Sequence, residues 1–120
     1  MKQNDLTVIL TLWDRVDFTY RWMRWMDQQR FPYKILIADG GLDKNIELHL
    51  RDKSNYPNLD YEYIRYPHDT NAENYFEKLT DVSSKVRSTY AIVADNDDFI
   101  LLGPLKKILS YYEITLMCIR

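Results

Sequence analysis

Asp95-Asn96-Asp97-Asp98 places three carboxylates within four consecutive residues, directly after the apolar run Tyr90-Ala91-Ile92-Val93-Ala94. Like charges held this close repel unless a cation shares the site. Hard oxygen donors of this kind suit Mg2+ or Mn2+, with substrate phosphates and water completing the shell. Asp95 and Asp97, one residue apart, can both turn toward a ligand where a strand ends. The competing reading is a solvated turn in which Asp and Asn satisfy backbone groups. A calcium loop does not fit, because Phe99 stands where that loop supplies an oxygen ligand.

The elements that must position these residues alternate along the chain. Leu6-Thr7-Val8-Ile9-Leu10-Thr11-Leu12 and Ile35-Leu36-Ile37-Ala38 read as strands buried on both faces, separated by a helical pattern from about Arg15 to Gln29. Asp39-Gly40-Gly41 stops the second strand. Leu42, Ile46 and Leu50 mark a short helix that fades near Ser54-Asn55-Tyr56-Pro57-Asn58. Tyr61 to Tyr66 alternates as an edge strand does. Thr70-Asn71-Ala72-Glu73 has capping-box spacing, ahead of a helix presenting Ala72, Tyr75, Phe76, Leu79, Val82 and Val86. Tyr90 to Ala94 is a fourth strand, expected to be fully buried. Pro104 opens a last helix through Leu105, Ile108, Leu109 and Tyr112, and Ile114 to Ile119 has the composition of a fifth strand.

This alternation predicts a three-layer α/β/α domain with a mostly parallel sheet and right-handed crossovers. Such sheets bind ligands beyond the carboxyl ends of their strands, where strand order reverses. Trp13-Asp14-Arg15, Asp39-Gly40-Gly41 and Asp95 to Asp98 all fall at strand ends, so three segments are expected to converge on one edge.

A length of 120 residues allows one domain, 1–120, and 46% apolar residues allow a real core. With 16 basic against 18 acidic residues, and a net charge of -2, no basic face for nucleic acid is indicated. The single cysteine, Cys118, has no internal disulfide partner, which makes a reducing cytoplasm the expected compartment. The apolar run Leu6 to Trp13 is too short for a membrane helix, so no integral membrane segment is expected. No Cys/His group has zinc spacing, and no Gly-rich phosphate loop or nucleophile elbow is present. His49 and His68 read as surface residues. A haloacid-type phosphatase would need its Asp-x-Asp near the chain start. A receiver domain would need an acidic pair near the first strand, and Asp14 has no acidic neighbour.

Thr7 to Arg15, Ile35 to Gly41 and Ile92 to Asp98, in this order and spacing, resemble the family 2 glycosyltransferases with a GT-A fold. There the first strand ends near a polar Asn/Asp-Arg, the second ends in Asp-Gly-Ser, and the fourth ends in Asp-x-Asp. The resemblance implies a UDP- or GDP-sugar partner. Asp39 would meet the nucleobase edge, Asp14 and Arg15 would line the base and ribose pocket, and Asp95 would contact the ribose. Asp97, with Asp95, would hold Mn2+ or Mg2+ against the diphosphate, and Asp98 would support the loop. Gly41 departs from the family's Ser, although the Gly40-Gly41 pair still permits a tight turn. The segment Asn71 to Asn74 lacks a glycine often found there.

The resemblance covers the family's nucleotide-binding half. The acceptor pocket and catalytic base of these enzymes come from a second half, and no residue here is assigned as catalytic. The expectation is a shortened relative, or a chain completed by a second subunit. On the first helix, Val16, Tyr20, Met23 and Met26 form one face, while Phe18, Trp22 and Trp25 form a second stripe on roughly the opposite one. A homo-oligomer contact through Phe18, Trp22 and Trp25 is expected there, against burial under a loop or stacking on a sugar or base. The functional expectation is thus metal-dependent binding, and transfer, of a nucleotide-diphosphate sugar. The alternative is a non-catalytic nucleotide-binding or assembly module on the same fold.

Overall fold

The β-branched and aliphatic runs form strands because they fit a pleated surface covered on both sides. They are β1 (Leu6–Leu12), β2 (Lys34–Asp39), β3 (Tyr61–Arg65) and β4 (Tyr90–Asp95). A helix follows each strand: α1 (Val16–Gln28), α2 (Lys44–Arg51), α3 (Ala72–Ser83) and α4 (Leu102–Ile119). A computed structural model describes the backbone of residues 5–119 and the side chains of residues 5–112.

The four strands form one parallel sheet in the order β3-β2-β1-β4. Side-chain alternation splits the core in two. Leu6, Val8, Leu10 and Leu12 of β1 pack with Trp22, Met23 and Met26 of α1, Ile46 and Leu50 of α2, and Leu105 and Leu109 of α4. On the other face, Ile9, Leu36 and Ala38 meet Val82 of α3. The domain is therefore a three-layer α/β/α sandwich, with three helices on one face and α3 on the other.

Several expectations change. The stretch Ile114 to Ile119 is not a strand; it continues α4 to Ile119. An apolar run cannot by itself distinguish strand from helix, and the preceding helical turns carry this one on. β4 is an edge strand instead of a fully buried one, and Val93 is 55% exposed. The cap of α3 lies one residue later than the expected box. Asn71 is the cap and its side chain accepts from Asn74 N at 2.8 Å, while the Thr70 hydroxyl donates to Asn74 Oδ1. Along α3, Phe76 is exposed and Lys78 is buried.

The second aromatic stripe of α1 is largely spent within the chain. Trp22 belongs to the main core and is fully buried. Trp25 donates its indole N–H to the Ile100 carbonyl at 3.0 Å and meets Phe99 edge-on. Gln29 fastens the same segment, donating to Ile100 O and accepting from Leu102 N. The segment after the acidic cluster thus covers this face, and of the three residues Phe18 alone is exposed.

Candidate functional site

From β1 the chain steps outward to β2 and β3, then returns to place β4 on the other side of β1. Strand order therefore reverses between β1 and β4, and the crevice at their carboxyl ends is the expected ligand position. A cleft of about 550 Å³ opens there. Thr11, Trp13 and Arg15 line it from the β1 end, Asp95, Asn96 and Asp97 from the β4 end, and Tyr75 and Lys78 from α3.

Register brings the acidic turn to this position. Thr11 of β1 pairs with Asp95 of β4, and its hydroxyl donates to Asp95 Oδ1 at 2.6 Å. Asp98 closes the turn: its Oδ2 accepts the Asp95 N–H at 3.0 Å, and its own N–H reaches Asp95 O. Asp97 faces the β1 loop, with its Oδ2 3.5 Å from Arg15 Nη1. Both members of that ion pair are well exposed, so solvent screens it. One carboxylate oxygen from each of Asp95, Asp97 and Asp98 lies within 4.8 Å of the others, and all three residues are exposed. Three solvent-facing carboxylates on one turn fit a hard divalent cation that keeps part of its shell for water or phosphate.

The β1 loop opposite is strained. Asp14 and Arg15 both have left-handed backbones, with φ of 57° and 52°, which costs a non-glycine residue roughly 1–2 kcal/mol. Such a pair persists only when its surroundings hold it. Asp14 Oδ1 accepts the Leu42 N–H at 2.7 Å, tying the loop to the end of β2. From the other side Asn96 enters, itself buried, and its amide group meets Asp14 O, Arg15 O and Thr19 Oγ1 at 3.2, 3.1 and 3.0 Å. The sequence offered Asn96 as the spacer between two acids or as a residue of a solvated turn that satisfies backbone groups; it does bond backbone carbonyls, but from a buried position. Its amide chemistry was visible, but its inward orientation depends on the turn that Asp98 closes.

Gly40 and Gly41 do not serve a positive-φ turn, since neither has one. Close approach is what requires them. A Cβ on Gly40 would lie 2.3 Å from Asp69 Oδ2, and one on Gly41 would lie 2.6 Å from Asp14 N.

Asp39 occupies a different environment. It pairs with Leu12 across the ladder and follows Ile35 and Ile37 in the alternation, so it faces the side of α1 and α2. Asp95, paired with Thr11, leaves the sheet on the α3 side. Asp39 is 1% exposed. Its Oδ1 accepts the Gly41 N–H at 2.9 Å, its Oδ2 accepts the Tyr63 hydroxyl, and Arg65 Nη1 lies 3.5 Å away. Burial, and then the Asp39 carboxylate, push the Tyr63 phenol well above the usual tyrosine range. Asp14 and Asp39 thus sit next to the cleft without lining it, whereas Arg15, Asp95 and Asp97 line it.

A buried ion pair on the α3 side of the cleft was not foreseen. Lys78, 2% exposed, places Nζ 2.6 Å from Asp69 Oδ2 and 3.5 Å from the Leu12 carbonyl. The Asp69 carbonyl accepts the Trp13 indole N–H at 2.9 Å. Helical spacing gave Lys78 no special status, because a lysine between apolar positions ordinarily reaches solvent.

No protein-family model matches the chain, and no curated protein sequence matches it. Among solved structures it is similar to the crystal structure of S. aureus TarS 1-349, a glycosyltransferase, with a TM-score of 0.66 and 17% identity. The similarity covers 94% of this chain and 32% of that one, so the chain spans about a third of the length of the structure it matches. At this identity the likeness concerns the fold, and it joins the all-parallel sheet in one conclusion: the chain has a glycosyltransferase-like α/β fold of the GT-A kind.

Proposed function

We propose that the cleft between β1 and β4 binds a nucleotide-diphosphate sugar, with UDP or GDP as the nucleotide part, and that the protein of which this fold is part transfers the sugar. The observation that carries the reading is the meeting of Asp95, Asp97 and Asp98 with Arg15 at the point where strand order reverses. Asp95 and Asp97 would hold Mn2+ or Mg2+, and Asp98 keeps the turn closed. When bound, the ion neutralises diphosphate charge. Arg15, exposed beside Asp97, supplies a second positive charge for the same phosphates. Trp13 presents a ring to the cleft, fixed in place through its indole N–H.

Asp39 would act from the neighbouring β2 end, and Asp14 from the β1 loop bonded to it. Asp39 is almost wholly buried and already engaged by Gly41, Tyr63 and Arg65, so a contact with the nucleobase edge requires its carboxylate to be uncovered first. Asp14 shapes the pocket through its bond to Leu42 and its approach to Gly41. No residue is assigned as catalytic base.

Calorimetric titration with UDP and with GDP, in the presence and absence of Mn2+, tests the proposal. Metal-dependent binding that disappears in Asp97→Ala is the expected result. Absence of binding to either nucleotide overturns it in favour of an assembly module built on the same fold. Among the described residues no helix is long and apolar enough to cross a membrane.

A further inference from the structure

We infer that Asn96 is a positioning residue: it holds the Asp14–Arg15 loop in its left-handed form and so sets Arg15 and Trp13 for the nucleotide. The inference rests on the nucleotide-diphosphate reading of the cleft. Asn96 stands between Asp95 and Asp97, yet its side chain turns inward and is buried while theirs are exposed. Its amide carries two hydrogens and meets three acceptors, two of them the carbonyls of the residues with positive φ.

Arg15 is the N-cap residue of α1 and makes no side-chain cap; its carbonyl already accepts from Phe18 N and Thr19 N. Asn96 adds an amide to Arg15 O, reaches Asp14 O, and closes on Thr19 in the first turns of α1. With the Asp14–Leu42 bond, the three strand-end segments become one connected unit. The carboxylate turn and the loop carrying Arg15 then keep a fixed relation, which a diphosphate bridging them requires. An aspartate at position 96 would have the same shape without the donor, and an alanine would have neither.

Two measurements on the full chain test this. Trypsin can cut after Arg15, within the held loop, and after Arg30, a second positive-φ arginine remote from Asn96 in the chain, which serves as internal control. In Asn96→Ala and Asn96→Asp, cleavage after Arg15 is expected to accelerate about tenfold, with cleavage after Arg30 unchanged. Titration with UDP and GDP plus Mn2+ is expected to show about tenfold weaker nucleotide binding in both variants. Binding of Mn2+ alone separates the two variants: Asn96→Asp adds a carboxylate between Asp95 and Asp97 and should bind the ion more tightly than Asn96→Ala does, while both lose nucleotide affinity. Equal acceleration at both sites, or at neither, overturns the inference, as does an Asn96→Asp variant that behaves like the native chain. Selective cleavage with unaltered nucleotide affinity also overturns it. If the native chain binds neither nucleotide while the selective cleavage is seen, the nucleotide reading falls and the loop-holding role of Asn96 stands.

Discussion

Lys78 Nζ lies 2.6 Å from Asp69 Oδ2, and the two side chains are 2% and 7% exposed. The pair joins α3 to the loop after β3, and through Leu12 O it touches the end of β1. Removing one partner leaves a buried charge unpaired, which costs about 3–5 kcal/mol. Lys78→Ala is therefore expected to lower the urea-unfolding free energy by that amount. Asp69→Asn with Lys78→Met, which removes both charges, should recover most of the loss.

Gly40 carries a related expectation. A methyl group there would meet the Asp69 side chain at 2.3 to 2.7 Å, so Gly40→Ala must displace Asp69 and weaken its bond to Lys78. Destabilisation of about 2 kcal/mol or more is expected from thermal or urea unfolding. In the Lys78→Met, Asp69→Gly background the same substitution should cost much less, since the Cβ and the carboxylate that crowd it are both gone.

Arg15 and a divalent ion compete for Asp97. Arg15→Met removes the cation 3.5 Å from Asp97 Oδ2, so Mn2+ alone should bind a few-fold more tightly. Binding of UDP or GDP with Mn2+ should weaken by about tenfold, because one positive charge facing the diphosphate is lost. Parallel changes in both affinities would contradict this assignment of Arg15.

Thr11→Val keeps the shape of the β1 end and removes the hydroxyl donor to Asp95 Oδ1. Asp95 then loses the contact that orients it, and metal affinity should fall by about three- to tenfold. Stability should change by no more than about 1–1.5 kcal/mol, the net worth of one hydrogen bond. The Mn2+ titration and a urea curve together check both halves.

Several tyrosines predict alkaline behaviour. Burial pushes Tyr56 up to about 12. Tyr61 is raised by burial and then by Asp52, and Tyr66 by burial and then by Asp81. Tyr63 is raised in the same direction. A folded-state value above the unfolded one means that the native state holds the proton more tightly. The stabilisation is then fully present below pH 10, the ordinary tyrosine value, and is lost as pH rises through the folded values. Stability should be flat on this account below about pH 10 and fall from there to about pH 12 and beyond. Absorbance titration near 295 nm should show these phenols ionising late, together with unfolding.

Local chemistry determined much of this protein. β1 and β2 were legible because an uninterrupted apolar run leaves a strand few options except burial on both faces. The switch from runs of this kind to helical spacing predicted the layered fold. The acidic turn stood out because three carboxylates in four residues after a strand is a local pattern. Tertiary structure decided what depends on residues distant in sequence. Register paired Thr11 with Asp95 and Leu12 with Asp39, which sent the two carboxylates to opposite faces of the sheet. Sheet order made β4 an edge, and helix continuity carried α4 through a run that reads as strand. Burial in the main core took up Trp22, and the segment after Asp98 took up Trp25, turning a candidate interface into contacts within the chain. Asn96, Asp69 and Lys78 show the same limit: a polar side chain becomes a brace only when folding brings it a partner and excludes water, and neither condition is written in the residue itself.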